Sequence, residues 1–196
     1  MNFATIILAA GKGTRMKSDL PKVMHEIAHK PIINWVTDAS IKAKSNKILT
    51  VVSEDFKSKI NSELVIQKQR LGTGHAVLQC KDSLQNYNGH IVILVGDVPL
   101  ITSDTIKELI SQLEDFDIAV AGLQLQDPTG YGRLIIKHNK LIGIIEQKDA
   151  NKSQQEINIV NSGIIAVKSS DLLFKLLGSL STVSYTHLTL PTKRIV

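Results

Sequence analysis

Residues 7–22 read Ile7-Leu-Ala-Ala-Gly-Lys-Gly-Thr-Arg-Met-Lys-Ser-Asp-Leu-Pro-Lys22. An apolar stretch, Ala4 to Ala10, reads as a buried strand and runs directly into a glycine-rich turn. The turn carries Arg15 and leads to Lys22, which is set by Pro21. Glycines and small residues let a backbone come close to a polyphosphate, and the free amides of such a turn form a cradle for anions. Arg15 and Lys22 add full positive charge that can neutralise phosphate oxygens. A Gly-x-Gly turn alone is a weak signal. Its coincidence with an arginine and a proline-set lysine favours a phosphate site over a plain strand-to-helix connection.

Outward from this turn, strands and helices alternate. Ala4–Ala10, Ile48–Val52, Leu64–Ile66, Ile91–Val95 and Ile118–Leu123 are short apolar runs of the kind buried on both sides of a sheet. Between them the pattern predicts helices over Pro31–Ala43, Thr73–Leu84 and Ser103–Glu114. The last has Ile106, Leu109, Ile110 and Leu113 at i, i+3, i+4 and i+7 and N-cap candidates in Thr102, Ser103 and Asp104. After Leu123 the pattern changes. Leu134–Ile136 and Leu141–Ile145 flank a turn and predict a β-hairpin, Gln147–Glu156 reads as a surface loop, and Gly163–Val167 reads as a strand ahead of a helix over Ser170–Leu177. The expected class is α/β, a largely parallel sheet with helices on both faces. In such sheets ligands sit beyond the C-terminal strand ends. The glycine turn and the distant Gly96-Asp97 are therefore expected to meet at one crevice.

Composition fits a globular chain: 196 residues, 43% hydrophobic and 21% charged. The net charge of +5 is scattered and aromatic residues make up 4%, which leaves few stacking platforms for nucleic acid, so an anionic small molecule is the expected partner. The single Cys80 excludes an internal disulfide and reads as a packed thiol in a helix. Nothing in the sequence suits a membrane span or a signal peptide, so a cytoplasmic location is expected, with neither nucleic acid nor membrane as a partner.

Several further segments carry chemistry. Leu71-Gly-Thr-Gly-His-Ala76 puts glycines and the Thr73 hydroxyl at a loop-to-helix junction, able to grip a base or a phosphate; His75 reads as a cap or satisfied residue, not an acid or base. In Val95-Gly-Asp-Val-Pro-Leu100 an aspartate stands just past a buried strand, suited to a hard divalent cation that also binds phosphate. Asp97 as a simple turn former is the alternative. Gly130-Tyr-Gly-Arg133, Glu146-Gln-Lys-Asp149 and Asn161-Ser-Gly163 offer hydrogen-bonding groups suited to a sugar, or ordinary loop chemistry; composition does not choose between these.

Taken in order, Leu8–Met16, Leu20–Val23, Gln67 with Leu71–Ala76, Gly96–Leu100, Asp127–Arg133, Glu146–Ala150 and Asn161–Ile164 closely resemble the bacterial bifunctional N-acetylglucosamine-1-phosphate uridylyltransferase / glucosamine-1-phosphate acetyltransferase family. The resemblance covers the uridylyltransferase domain, from about residue 3 to about residue 180. It implies a Rossmann-like nucleotide-diphospho-sugar transferase fold, built on a mostly parallel mixed sheet. It also implies a Mg²⁺-dependent reaction of UTP with N-acetylglucosamine 1-phosphate, giving UDP-N-acetylglucosamine, a cell-wall precursor, and pyrophosphate. By matching motif, Leu8, Ala9, Ala10 and Gly11 would contact the nucleotide and Arg15 and Lys22 its phosphates. Gln67, Gly72 and Thr73 would read uracil, Asp97 would hold Mg²⁺, and Gly132, Glu146 and Asn161 would hold the amino sugar.

The sequence departs from the family in three places. Val95 stands where some members carry tyrosine. The asparagine that is the family's second Mg²⁺ ligand has no counterpart, nor does the left-handed β-helix through which full-length relatives trimerise. Residues 183–196 do not follow the family pattern. The expected organisation is a C-terminally incomplete nucleotidyltransferase domain over 1–182, followed by a frayed or artefactual tail, and the resemblance then implies weak or absent activity.

Overall fold

The computed structural model describes residues 1–13, 16–138 and 140–179. Arg15 and the expected tail over 183–196 lie outside them. β1 (Phe3–Leu8) is central, with β4 (Lys47–Ser53) on one side and β6 (His90–Val95) on the other, both parallel to it. β5 (Glu63–Gln67) adds in parallel outside β4. Beyond β6 the sheet turns antiparallel through β10 (Ile159–Val167), then β8 (Arg133–Lys137) and β9 (Lys140–Ile145), with β7 (Ile118–Gln124) also pairing β10. The expected hairpin after Leu123 is the β8–β9 pair.

Alternation along β1 divides the core in two. Phe3, Ile7 and Ala9 pack on one face with α1 (Ile32–Lys42) and α3 (Ser103–Ser111). Ala4, Ile6 and Ala10 pack on the other with α2 (Thr73–Leu78) and α5 (Ser170–Gly178). A strand covered on both faces is apolar at successive positions, as this one is apart from Thr5, whose buried hydroxyl donates to Ser45 Oγ at 2.9 Å. The stripe Ile106, Leu109, Ile110 and Leu113 is buried, and the Thr102 hydroxyl accepts from Thr105 N at 3.1 Å to cap α3.

Several expectations are corrected in detail. The helix expected over Thr73–Leu84 stops at Leu78, because Gln79, Cys80 and Lys81 bond back three residues, not four, and a separate 3-10 turn follows at Asp82–Leu84. Cys80 is packed as expected but lies just past the helix. The helix over Ser103–Glu114 likewise closes in a 3-10 turn from Gln112. The loop over Gln147–Glu156 contains α4 (Lys152–Gln155), a single turn started by a reciprocal capping box between Asn151 and Gln154. A small pair not expected from sequence, β2 (Glu26–Ile27) with β3 (Lys30–Pro31), feeds α1; its turn holds Ala28 at φ 52° and His29 at φ 60°. Trp35 Nε1 donates to Ile27 O at 3.1 Å, and Lys30 Nζ lies 4.2 Å from the Trp35 ring centre, which ties this pair to the helix. Among the described residues no helix is long and apolar enough to cross a membrane.

Candidate functional site

The strand ends define the site. β1 stops at Leu8, and Ala9 N still donates to Val51 O at 2.8 Å, so the turn begins at the C-terminal edge of the parallel block. β6 stops beside it, where Gly96 N donates to Leu8 O at 2.9 Å. This contact requires a glycine: a Cβ at position 96 would stand 3.0 Å from Leu8 O and 2.9 Å from Ile33 Cδ1. The two loops that the sequence pattern brings to one crevice are thus in direct contact, and Asp97 follows immediately.

The crevice is a cavity of about 540 Å³. Of the residues expected at a nucleotide, Leu8, Ala9, Ala10, Gly11, Lys22, Gln67, Gly72 and Thr73 all line it, together with Asp97. Lys22 and Asp97, 75 residues apart in the chain, form an ion pair with Nζ–Oδ2 of 2.5 Å, each side chain part-exposed. Lys22 is also locked to the turn: Gly13 has φ +58°, and a Cβ there would lie 2.6 Å from Lys22 Cβ. Arg70, which the sequence reading missed, lines the same cavity; its Nε donates to Ala10 O at 2.8 Å and its Nη2 lies 3.5 Å from Asp55. The signal available for it was a cation just ahead of Leu71-Gly-Thr-Gly. Asp55 itself is held below the usual carboxylate range, first by the Ser53 side chain and a backbone hydrogen bond, and less by the Arg70 charge.

A second cavity of about 290 Å³ adjoins the first, sharing Leu8, Thr73 and Val95 as walls. Glu146 and Asn161 line it. Gly132 belongs with them: Asn161 N donates to Gly132 O at 2.8 Å, and a Cβ on Gly132 would meet Glu146 Oε1 at 3.2 Å. The three residues expected at a sugar therefore come together, Gly132 just ahead of β8, Glu146 just past β9 and Asn161 within β10. Asn161 sits at an irregularity in β10, between Asn161 and Ile165, where Gly163 takes φ +78° and donates its N–H to Asn161 Oδ1 at 3.0 Å. The bulge lies against the end of β6, since a Cβ on Gly163 would be 3.3 Å from Val95 Cγ1.

Arg133, in a segment whose sequence fits sugar binding and loop chemistry alike, is not a solvated charge. It is 1% exposed; its guanidinium donates to Tyr131 O and, at 3.1 Å, to Gln155 O, clamping the Gly130–Gly132 turn to the end of α4. Asp127 begins that turn, its Oδ1 accepting from Thr129 N at 3.0 Å; hydrogen bonds from the Thr129 side chain and backbone hold its carboxyl below the usual range.

Among the described residues no group of three or more His, Cys, Asp or Glu forms a metal cluster. Asp97 nonetheless suits a hard cation. It is an oxygen donor lining the first cavity, and the ammonium of Lys22 already stands on its carboxylate as a cation. One carboxylate is the donor set that fits Mg²⁺ when phosphates and water complete the shell.

A family model described as MobA-like NTP transferase domain matches residues 5–158. Among solved structures, the chain is similar to a Bacillus anthracis protein assigned as a glucose-1-phosphate thymidylyltransferase and solved with sucrose. The two share 17% identity at a TM-score of 0.73, over 92% of this chain and 76% of that one. It is similar to a UDP-glucose pyrophosphorylase complexed with UDP-glucose, with 19% identity and a TM-score of 0.68 over 90% and 79% of the two chains. HddC from Yersinia pseudotuberculosis is 21% identical, with a TM-score of 0.69 over 98% and 89%. At these identities the likeness carries the fold.

Proposed function

The chain belongs to the MobA-like NTP transferase family, and from that premise we propose that it transfers a uridylyl group from UTP to N-acetylglucosamine 1-phosphate, releasing pyrophosphate. One observation carries the reading most: the cavity lined by Lys22 and Asp97 and the largely apolar cavity that holds Glu146 and Asn161 share the walls Leu8, Thr73 and Val95. Two substrates seated in them meet at that wall. The reaction is then an in-line attack of a sugar-phosphate oxygen on the α-phosphorus of UTP, with pyrophosphate leaving. Such chemistry asks for positioning and charge neutralisation and needs no covalent intermediate with the protein.

In this reading the Leu8–Gly11 backbone and Lys22 hold the triphosphate, with Arg15 as a further phosphate ligand. Gln67, Gly72 and Thr73 hold the base, and Gly132, Glu146 and Asn161 hold the amino sugar. Asp97 would hold Mg²⁺, which when bound supplies charge neutralisation at the phosphate oxygens. For that, Lys22 must leave the Asp97 carboxylate, and an incoming phosphate offers its ammonium an anionic partner in exchange. Glu146 and Asn161 favour an N-acylated sugar because an acceptor and an amide suit its N–H and carbonyl.

A second reading, transfer to another sugar 1-phosphate or from another nucleotide, follows from the similar structures, which are named for thymidylyl transfer to glucose 1-phosphate and for UDP-glucose. Pyrophosphate release tests both. The four triphosphates UTP, CTP, dTTP and GTP are each supplied with N-acetylglucosamine 1-phosphate or glucose 1-phosphate, and the pair of UTP with the N-acetylated sugar is expected to give the highest rate. A predominant dTTP or CTP signal would reject the assignment. Tight binding of UDP-N-acetylglucosamine without turnover would identify a nucleotide-sugar-binding protein instead.

A further inference from the structure

His75 is not absorbed by the reading above, yet it touches the residue placed at the base. Gln67 is 4% exposed and lines the crevice. Its amide nitrogen is 3.2 Å from Gly72 O and 3.0 Å from His75 Nδ1. The sense of this amide is set by chemistry. Gly72 O can only accept, and its direction is fixed because it also takes the helical bond from Ala76 N at 3.1 Å. Nε2 of Gln67 must therefore face it. The second hydrogen of that amide then points at His75 Nδ1, which has to be an unprotonated acceptor. Both Gln67 hydrogens are thereby used. Oε1, which takes no partner among the described residues, is the atom free to receive a bond from the crevice.

On the far side of the ring, Gln79 Nε2 lies 3.2 Å from His75 Nε2 and donates to His75 O at 3.1 Å. A neutral imidazole accepts at one nitrogen only. Gln67 is buried and pinned by Gly72, whereas Gln79 is half-buried and tied only to its own helix. Gln79 is the one that yields: its oxygen turned to the Nε2 hydrogen would face His75 O, so the half-buried side chain releases both contacts and swings to solvent.

We infer that His75 is a positioning residue for base selection: as the neutral Nε2–H tautomer it holds the Gln67 amide with Oε1 available to the nucleotide. This rests on the reading of Gln67, Gly72 and Thr73 as the base site. An acceptor there pairs with the N3–H of uracil or thymine and repels the N3 lone pair of cytosine. A site built to receive a substrate N–H rejects the analogue lacking it far better than a merely shaped pocket does.

The test is the ratio of dissociation constants for UTP and CTP, measured by calorimetry on the full chain. Wild type is expected to prefer UTP. In His75→Leu the ratio is expected to fall about tenfold or more, chiefly through weaker UTP binding, as fits the loss of an oriented hydrogen bond to a buried group. His75→Asn, whose side-chain oxygen can stand near the lost Nδ1, is expected to retain most of the preference. Equal weakening of both nucleotides in the leucine variant, or an unchanged ratio, would overturn the inference and mark His75 as structural only. A wild type that binds UTP and CTP alike overturns it too while leaving the triphosphate cradle standing. A wild type that binds neither removes the nucleotidyl-transfer reading itself, and the inference with it. Independently of any variant, long-range ¹H–¹⁵N correlation of the native imidazole is expected to show Nε2–H with a bare Nδ1; the Nδ1–H tautomer would contradict the inference.

Discussion

Gly13 and Lys22 meet as backbone against side chain, and neither can be changed without disturbing the other. Gly13 combines φ +58° with a Cβ position 2.6 Å from Lys22 Cβ. Gly13→Ala therefore adds backbone strain of about 1–2 kcal/mol and pushes Lys22 away. Urea unfolding is expected to report lower stability and calorimetry a weaker affinity for UTP. Lys22→Ala has effects of opposite sign on two ligands. With the ammonium gone from Asp97, Mn²⁺ followed by its paramagnetic resonance without nucleotide is expected to bind more tightly, while UTP binds more weakly. A parallel loss of both would show that Lys22 does not compete at Asp97. Lys22 and Asp97 were each legible in the sequence as charges placed by a proline and a strand end. Their pairing, across 75 residues, is a product of the sheet alone. The role of Arg133 was left open for the same reason, since burial is a tertiary property, and its segment of glycines and tyrosine has the composition of a loop.

At the scale of elements, β10 does most to shape the sugar side. Its irregularity falls at Asn161, which lines the second cavity with Glu146, while the C-terminal half of the strand remains paired to β6 and β7. Gly163→Ala puts a side chain at φ +78° with Val95 Cγ1 3.3 Å away. The expected cost is about 1–3 kcal/mol, with KM for the sugar phosphate raised more than KM for UTP. Equal changes in both would detach the bulge from sugar binding. Helices with a clear stripe and cap were readable, α3 above all. The β2–β3 pair was not, because its turn sets alanine and histidine at positive φ, where hairpin signatures rely on glycine or asparagine. The end of α2 was missed because a shift to three-residue hydrogen bonding leaves no mark on hydrophobic periodicity.

At the scale of the whole molecule, the parallel block β5-β4-β1-β6 follows from repeated strand–helix alternation, and the apolar runs announce it. The antiparallel half does not follow in that way: β10 inserts beside β6, far from it in sequence, and only long-range pairing decides that place. Cys80 offers a probe of the assembled core. It is fully buried, and desolvation pushes its thiol up to about 12. At pH 8 it is expected to stay unreactive towards a chromogenic disulfide reagent in the native protein and to react once urea unfolds the chain. Saturating UTP is expected to slow that labelling in intermediate urea, since ligand binding favours the folded state. Rapid native labelling would mean that the face carrying α2 and α5 opens locally.

The most direct measurement is backbone amide NMR of the isotopically labelled chain titrated with UDP-N-acetylglucosamine. One saturable site is expected, with the largest shifts in residues 8–13, at Gly72, Thr73 and Asp97, and across Gly132, Glu146 and Asn161. A nucleotide sugar that leaves the Gly132, Glu146 and Asn161 amides unmoved, or shifts only residues away from the two joined cavities, would contradict the proposal that this crevice brings UTP and an amino-sugar phosphate together.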